Sequence, residues 1–130
     1  GATVLRRGAF RHLAIANPRL APYGLAARQA LVALDLWAAL QDRIVMGENI
    51  AQAHAMAASG NAELGLVAAS QVTAGSGSAW PVPAELHDPI RQDAVQLRDT
   101  PAAAALLDFL RRPEAKRIIH AHGYAVESPA

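Results

Sequence analysis

Three short apolar runs, separated by stretches of helical periodicity, constrain this chain more than any other feature of its sequence. Residues 11–17 (RHLAIAN) form the first run, closed by the turn signal Asn17-Pro18. Residues 22–38 follow, with Ala27, Leu31, Leu34 and Ala38 on one stripe and Arg28, Gln29 and Asp35 off it, which predicts a helix. Residues 43–46 predict a second strand ending at Gly47, and residues 50–59 a second helix stopped by Gly60. The third run, residues 64–69 (LGLVAA), lacks polar alternation, as expected of a strand covered on both faces. Strand, helix, strand, helix, strand makes two consecutive crossover units, whose default is a parallel sheet with right-handed connections. The expected fold class is therefore α/β, a three-layer arrangement of a mostly parallel sheet flanked by helices.

The rest of the chain is less regular. Residues 71–78 predict a Gly/Ser-containing loop, and residues 79–82 a short edge strand, because Pro81 and Pro83 exclude a central one. Residues 92–97 predict a further strand. Thr100-Pro101 is a capping residue followed by proline at the first helical position, and opens a helix to about Leu110. Pro113 opens a last helix ending near His122, with Gly123 behind it; residues 127–130 are expected to fray.

Composition removes whole classes of function. Twelve basic residues against eleven acidic ones give a net charge of +1, too small a field to draw in nucleic acid or an anionic membrane. The absence of cysteine excludes disulfides, thiolate metal sites and cysteine nucleophiles. No apolar run approaches the ~20 residues of a membrane span, and residues 1–10 hold no apolar signal-peptide core. Of the five histidines, His120 and His122 point to different helix faces, while His12, His54 and His87 have no spacing that implicates a shared metal. Ser59, Ser70, Ser76 and Ser78 lack a nucleophile-elbow context. Asp88, Asp93 and Asp99 are scattered, and Gly75-Ser76-Gly77 is too short to cradle a phosphate. The chain is expected not to be an enzyme.

Two helix starts carry the informative chemistry. Pro22 suits the first helical position, which makes Ala21 the cap; alanine has no side-chain acceptor for the N–H groups of Tyr23 and Gly24, where the positive end of the helix dipole lies. Asn49 is a good cap for the helix from Ile50, with an oxygen for the N–H of Ala51 or Gln52, and leaves the Ile50 N–H unserved; Gly47 permits a tight backbone turn. Both starts follow strand C-termini, the edge where open parallel sheets bind ligands. The donors can serve a small anion or simply water. Glu48 counts against an anion unless its carboxylate turns outward.

These residues also carry a resemblance. AIANPRLAPYGLAARQAL, then GENIAQAHAMAASGNAELGLVAASQV, PIRQDAVQL and LLDFLRRPEAKRIIHAHGY resemble, in order and spacing, the second half of the periplasmic molybdate-binding proteins of molybdate ABC transporters. The resemblance implies a type II periplasmic-binding-protein fold. Residues 10–87 would then be the second lobe, residues 88–91 a crossover hinge, residues 92–124 a strand and helices of an incomplete first lobe, and residues 1–9 and 125–130 terminal extensions. It implies no cofactor and no metal-cation ligand. The ligand would be molybdate or tungstate, held by the backbone N–H groups of Tyr23 and Ile50 with Pro22, Gly24 and Asn49 in support. A tyrosine hydroxyl that some members use is replaced here by Ala68.

The implied partners are the oxyanion and, for a full-length parent, a membrane permease; the implied location is the periplasm. With first-lobe donors missing, a chain of this extent is expected to bind the anion weakly. Ala102, Ala105, Leu106, Phe109, Ile118 and Ile119 would expose an apolar surface that favours self-association. The alternative is a ligand-free, self-associating α/β module.

Overall fold

The structure is a computed structural model that describes residues 1–126, so the expected frayed tail at residues 127–130 lies outside the described residues. The chain divides into two compact units, Gly1–Ile90 and Arg91–Ala130.

The first unit is built around strand β1 (Leu13–Ala16), whose four residues are all buried. β1 lies between β2 (Ile44–Gly47) and β3 (Leu64–Gly65) in a parallel sheet of order β2-β1-β3. The register runs from Leu13 opposite Ile44 to Ala16 opposite Gly47 on one side, and pairs Leu13 with Leu64 and Ala14 with Gly65 on the other. Successive side chains point to opposite faces, so the two faces differ in bulk. Leu13 and Ile15 join Ala27 and Leu31 of helix α2 (Pro22–Ala33), Leu5 of α1 (Ala2–Arg7) and Leu40 of α3 (Trp37–Leu40) in one hydrophobic cluster. The opposite face carries Ala14, Ala16, Gly47 and Gly65, and α4 (Ile50–Ala58) packs closely there: a Cβ on Gly65 would lie 2.9 Å from that of Ala57. Helix, sheet and helix give the three layers expected of the α/β class.

Several sequence expectations need correction. The helix expected over residues 22–38 stops at Ala33. Leu36 N–H donates to Leu31 O (2.8 Å) and Asp35 N–H to Val32 O (2.9 Å), while Asp35 adopts φ 58°. This is a Schellman ending with aspartate in the left-handed place usually taken by glycine, and Leu36 folds back onto the cluster that holds Leu31. Ala38 consequently leaves the stripe and is exposed. The third strand is shorter than residues 64–69: the Leu66 N–H still bonds Ala14 O (2.9 Å), but Gly65 is its last ladder partner. Residues 79–82 form no strand, since Pro81 and the flanking Pro83 have no N–H to give a ladder. Residues 1–9 are more than an extension. They contain α1, whose Leu5 is buried, and Arg43 donates to the carbonyls of Gly8 and Phe10 while lying 5.6 Å above the Phe10 ring.

In the second unit, residues 92–97 form no strand, with Val95 79% and Leu97 89% exposed. A strand needs a ladder partner, and none stands beside it among the described residues. The two expected helices are present as α5 (Pro101–Leu110) and α6 (Pro113–Ala121). Thr100 caps α5 by accepting from the Ala103 N–H (3.2 Å), and Ala115 is buried. Ala102, Ala105, Leu106, Phe109 and Ile118 are exposed and Ile119 is half-buried.

At the sheet's other edge, Glu63 accepts from the His12 backbone N–H (2.9 Å) and from Arg11 Nε (3.1 Å), joining the starts of β3 and β1. The His12 N–H, Glu63's own N–H and then Arg11 hold this carboxyl down to about 2, against an ordinary value of 4.5. Its charged form therefore favours the folded state above pH 4.5, and that contribution fades as pH falls toward 2. Urea unfolding of Glu63→Gln should show a stability deficit at pH 7 that shrinks through this window; a deficit independent of pH would contradict the assignment.

Candidate functional site

The C-terminal ends of β1 and β2 are neighbours, and each runs into a helix start. Ala16 lies opposite Gly47, and the Asn17 N–H donates to Gly47 O (2.7 Å). The chain then turns at residues 17–20: Asn17 Oδ1 accepts from the Arg19 N–H (2.9 Å), and Asn17 O from the N–H groups of Leu20 and Ala21 (both 3.0 Å). This turn delivers Ala21 in an extended conformation, followed by Pro22 as the first residue of α2. Ala21 makes no side-chain cap to α2, as alanine at this place predicts.

Gly24 fixes how α2 sits. A Cβ there would lie 2.2 Å from Ala16 O, so only glycine lets the first turn of α2 rest directly on the end of β1. Gly47 does the same for α4: a Cβ would lie 2.7 Å from Gln52 Cβ and 2.8 Å from the Ala53 nitrogen. Two glycines thus bring two helix N-termini onto adjoining strand ends. Each N-terminus presents backbone N–H groups and the positive end of its dipole toward that edge.

The α4 start is held in detail. Asn49 Oδ1 accepts from the Gln52 N–H (3.0 Å), and Gln52 Oε1 accepts from the Glu48 N–H (2.8 Å). Of the two partners expected for Asn49, Gln52 is the one used. The N–H of Ile50 donates to no group among the described residues. Tyr23 and Ile50 are half-buried, Gly24 is buried, and Pro22, Glu48 and Asn49 are exposed. The structure thus gathers Pro22, Tyr23, Gly24, Asn49 and Ile50 at one edge of one sheet.

The side-chain roles of two neighbours escaped the sequence reading. Gln52 had a signal, since Asn-x-x-Gln is a capping-box spacing. Gln71 had none: its side chain accepts from the Ala68 N–H (3.1 Å) and donates to Ile50 O (3.3 Å), across 21 residues. Ala68 is buried beside this site and offers no hydroxyl.

Other features lie elsewhere. An open depression of about 310 Å³ runs along the flank of α2, lined by Leu25, Arg28, Gln29, Val32 and Ala33, and not at its start. The His87 and His122 rings each contact a backbone carbonyl, at 2.7 and 2.8 Å. No three of His, Asp and Glu are gathered to hold a metal ion among the described residues. Likewise, no described helix is long and apolar enough to cross a membrane.

The helix starts carry two stability predictions, read by urea unfolding. Gly24→Ala forces α2 off β1 and should cost about 1–3 kcal/mol. Asn49→Ala removes the α4 cap and should cost about 0.5–2 kcal/mol. A neutral Gly24→Ala would contradict the close packing described.

Comparison with known proteins brings in independent information. Residues 2–125 match the family model described as bacterial extracellular solute-binding protein. The chain is 53% identical to the molybdate-binding protein ModA of Azotobacter vinelandii over 133 residues, covering 95% of this chain and 52% of that protein. It is 48% identical to ModA of Rhodobacter capsulatus, covering 91% of this chain and 48% of that protein. It therefore spans about half the length of these relatives. Among solved structures, the Azotobacter vinelandii periplasmic molybdate-binding protein superposes with a TM-score of 0.86 at 41% identity, over 96% of this chain and 58% of that one. The substrate-binding domain of a putative molybdenum ABC transporter from Clostridium difficile superposes at 0.77 with 23% identity, a likeness of fold alone.

Proposed function

The chain belongs to the bacterial extracellular solute-binding proteins, and from that premise we propose that it forms part of a periplasmic binding protein for a tetrahedral oxyanion, molybdate or tungstate. The observation that carries this reading is the pair of helix N-termini on adjoining strand ends, one of which presents the N–H of Ile50, which has no partner among the described residues. The Tyr23 N–H, at the second position of α2, is the other proposed donor. The names of the two ModA relatives supply the anion.

The proposed chemistry is neutral. Backbone N–H groups and helix dipoles stabilise an anion without a lysine or arginine. Pro22 sets the entry angle of α2, Gly24 seats it against β1, and Asn49 holds the first turn of α4 by bonding Gln52, which leaves Ile50 to the ligand. The permease of an ABC transporter is the proposed membrane partner of the longer protein.

Magnitudes set the expected affinity. Two charge-assisted backbone bonds contribute ~3–6 kcal/mol before the costs of association. Micromolar affinity requires ~8 kcal/mol. Calorimetry with molybdate, with sulfate as control, should therefore find binding of this chain no tighter than the millimolar range. Micromolar affinity would refute the arithmetic, and no binding of molybdate at any concentration would refute the site.

The exposed apolar residues of α5 and α6 support self-association of this chain. Leu106 is 58%, Phe109 40% and Ile118 54% exposed. Sedimentation should show an average mass that rises with concentration and falls back in Phe109→Asp; a monomer throughout would contradict this.

A further inference from the structure

We propose that Gln71 is the positioning residue for the α4 donor: its carboxamide ties the turn after β3 to the first residue of α4 and thereby aims the Ile50 N–H. The inference rests on the reading of Ile50 as an oxyanion donor.

The geometry is a bridge made by one side chain. Residues Ala69–Gln71 form a single 3-10 turn, closed by the Gln71 N–H donating to Ala68 O (2.9 Å). Gln71 Oε1 returns to accept from the Ala68 N–H (3.1 Å), so Ala68 is bonded to Gln71 through both its backbone groups. Gln71 Nε2 is thereby directed at Ile50 O, 3.3 Å away. A carbonyl oxygen has two lone pairs, and a helix uses one of them for the amide four residues on. Gln71 takes a remaining acceptor site of Ile50 without disturbing the helix.

The other bonds at the α4 start are local: Asn49, Gln52 and Glu48 hold one another within the same few residues. These bonds fix the turn's shape. The bond from Gln71 ties that turn to the exit of β3. The N–H and C=O of Ile50 share one Cα, so restraining the carbonyl restrains the direction of the amide.

The residue type follows. One group must accept from Ala68 and donate to Ile50, which only a carboxamide can do among side chains of this length. Asparagine is one methylene short. Glutamate keeps the acceptor but sets a carboxylate against a carbonyl. Methionine keeps the shape and loses both bonds.

The test follows the amide resonances of Tyr23 and Ile50 in the whole chain during a molybdate titration, for wild type, Gln71→Met and Gln71→Glu, with thermal unfolding recorded beside it. In wild type both amides should move. Both variants should weaken the affinity about three- to tenfold. They should shrink the Ile50 response and leave the Tyr23 response at saturation unchanged. Gln71→Glu, which keeps the bond to Ala68, separates the aiming of Ile50 from the integrity of the turn. Wild-type affinity and Ile50 response in the variants would overturn the role of Gln71 and leave the anion site standing. Equal loss at both amides together with a lowered melting temperature would assign Gln71 a merely structural role. If neither amide moves in wild type, the anion site itself fails and this inference with it.

Discussion

The structure depends on two places where a helix rests on a strand end with no side chain between them. Gly24 sets the first turn of α2 against the Ala16 carbonyl, and Gly47 sets the first turn of α4 against the end of β2. Because Ala16 and Gly47 are register partners, both helices start at one edge of one sheet. The bulk difference between the faces of β1 serves the same end. Leu13 and Ile15 anchor the α2 side, while Ala14 and Ala16 let α4 approach closely. Packing thus decides where the backbone donors point, and the donors need no side chain of their own.

That arrangement suits an anion in a chain with almost no net charge. A lysine or arginine in the site would attract any anion and hold it through long-range field; short N–H bonds respond to the size and shape of an oxyanion. The cost is that each donor contributes little alone, so useful affinity requires donors from several segments. This chain supplies the two proposed donors, Tyr23 and Ile50, and spans about half the length of its ModA relatives. It belongs to the solute-binding family through its sequence, while its own affinity is a separate physical question.

Much of this was legible in sequence because it is local. The LAIA run announced a buried strand, Ala21-Pro22 an uncapped helix start, and Asn49 with Gly60 the two ends of α4. What escaped is nonlocal or atypical. Asp35 ends α2 in a left-handed conformation that glycine would have advertised. Residues 92–97 have strand composition, yet a strand exists only where a partner lies beside it. Gln71 reaches Ile50 across 21 residues, a distance no spacing rule covers. Helix α1 is a single short segment whose one buried side chain, Leu5, leaves no periodic stripe to read.

The most direct measurement is a crystal structure of this chain grown with molybdate, with diffraction recorded at the molybdenum absorption edge. The account predicts one anomalous peak at the edge shared by α2 and α4, with oxygens about 2.7–3.2 Å from the backbone nitrogens of Tyr23 and Ile50. Molybdenum bound away from both helix starts, or bound there by arginine side chains in place of backbone N–H groups, would contradict it.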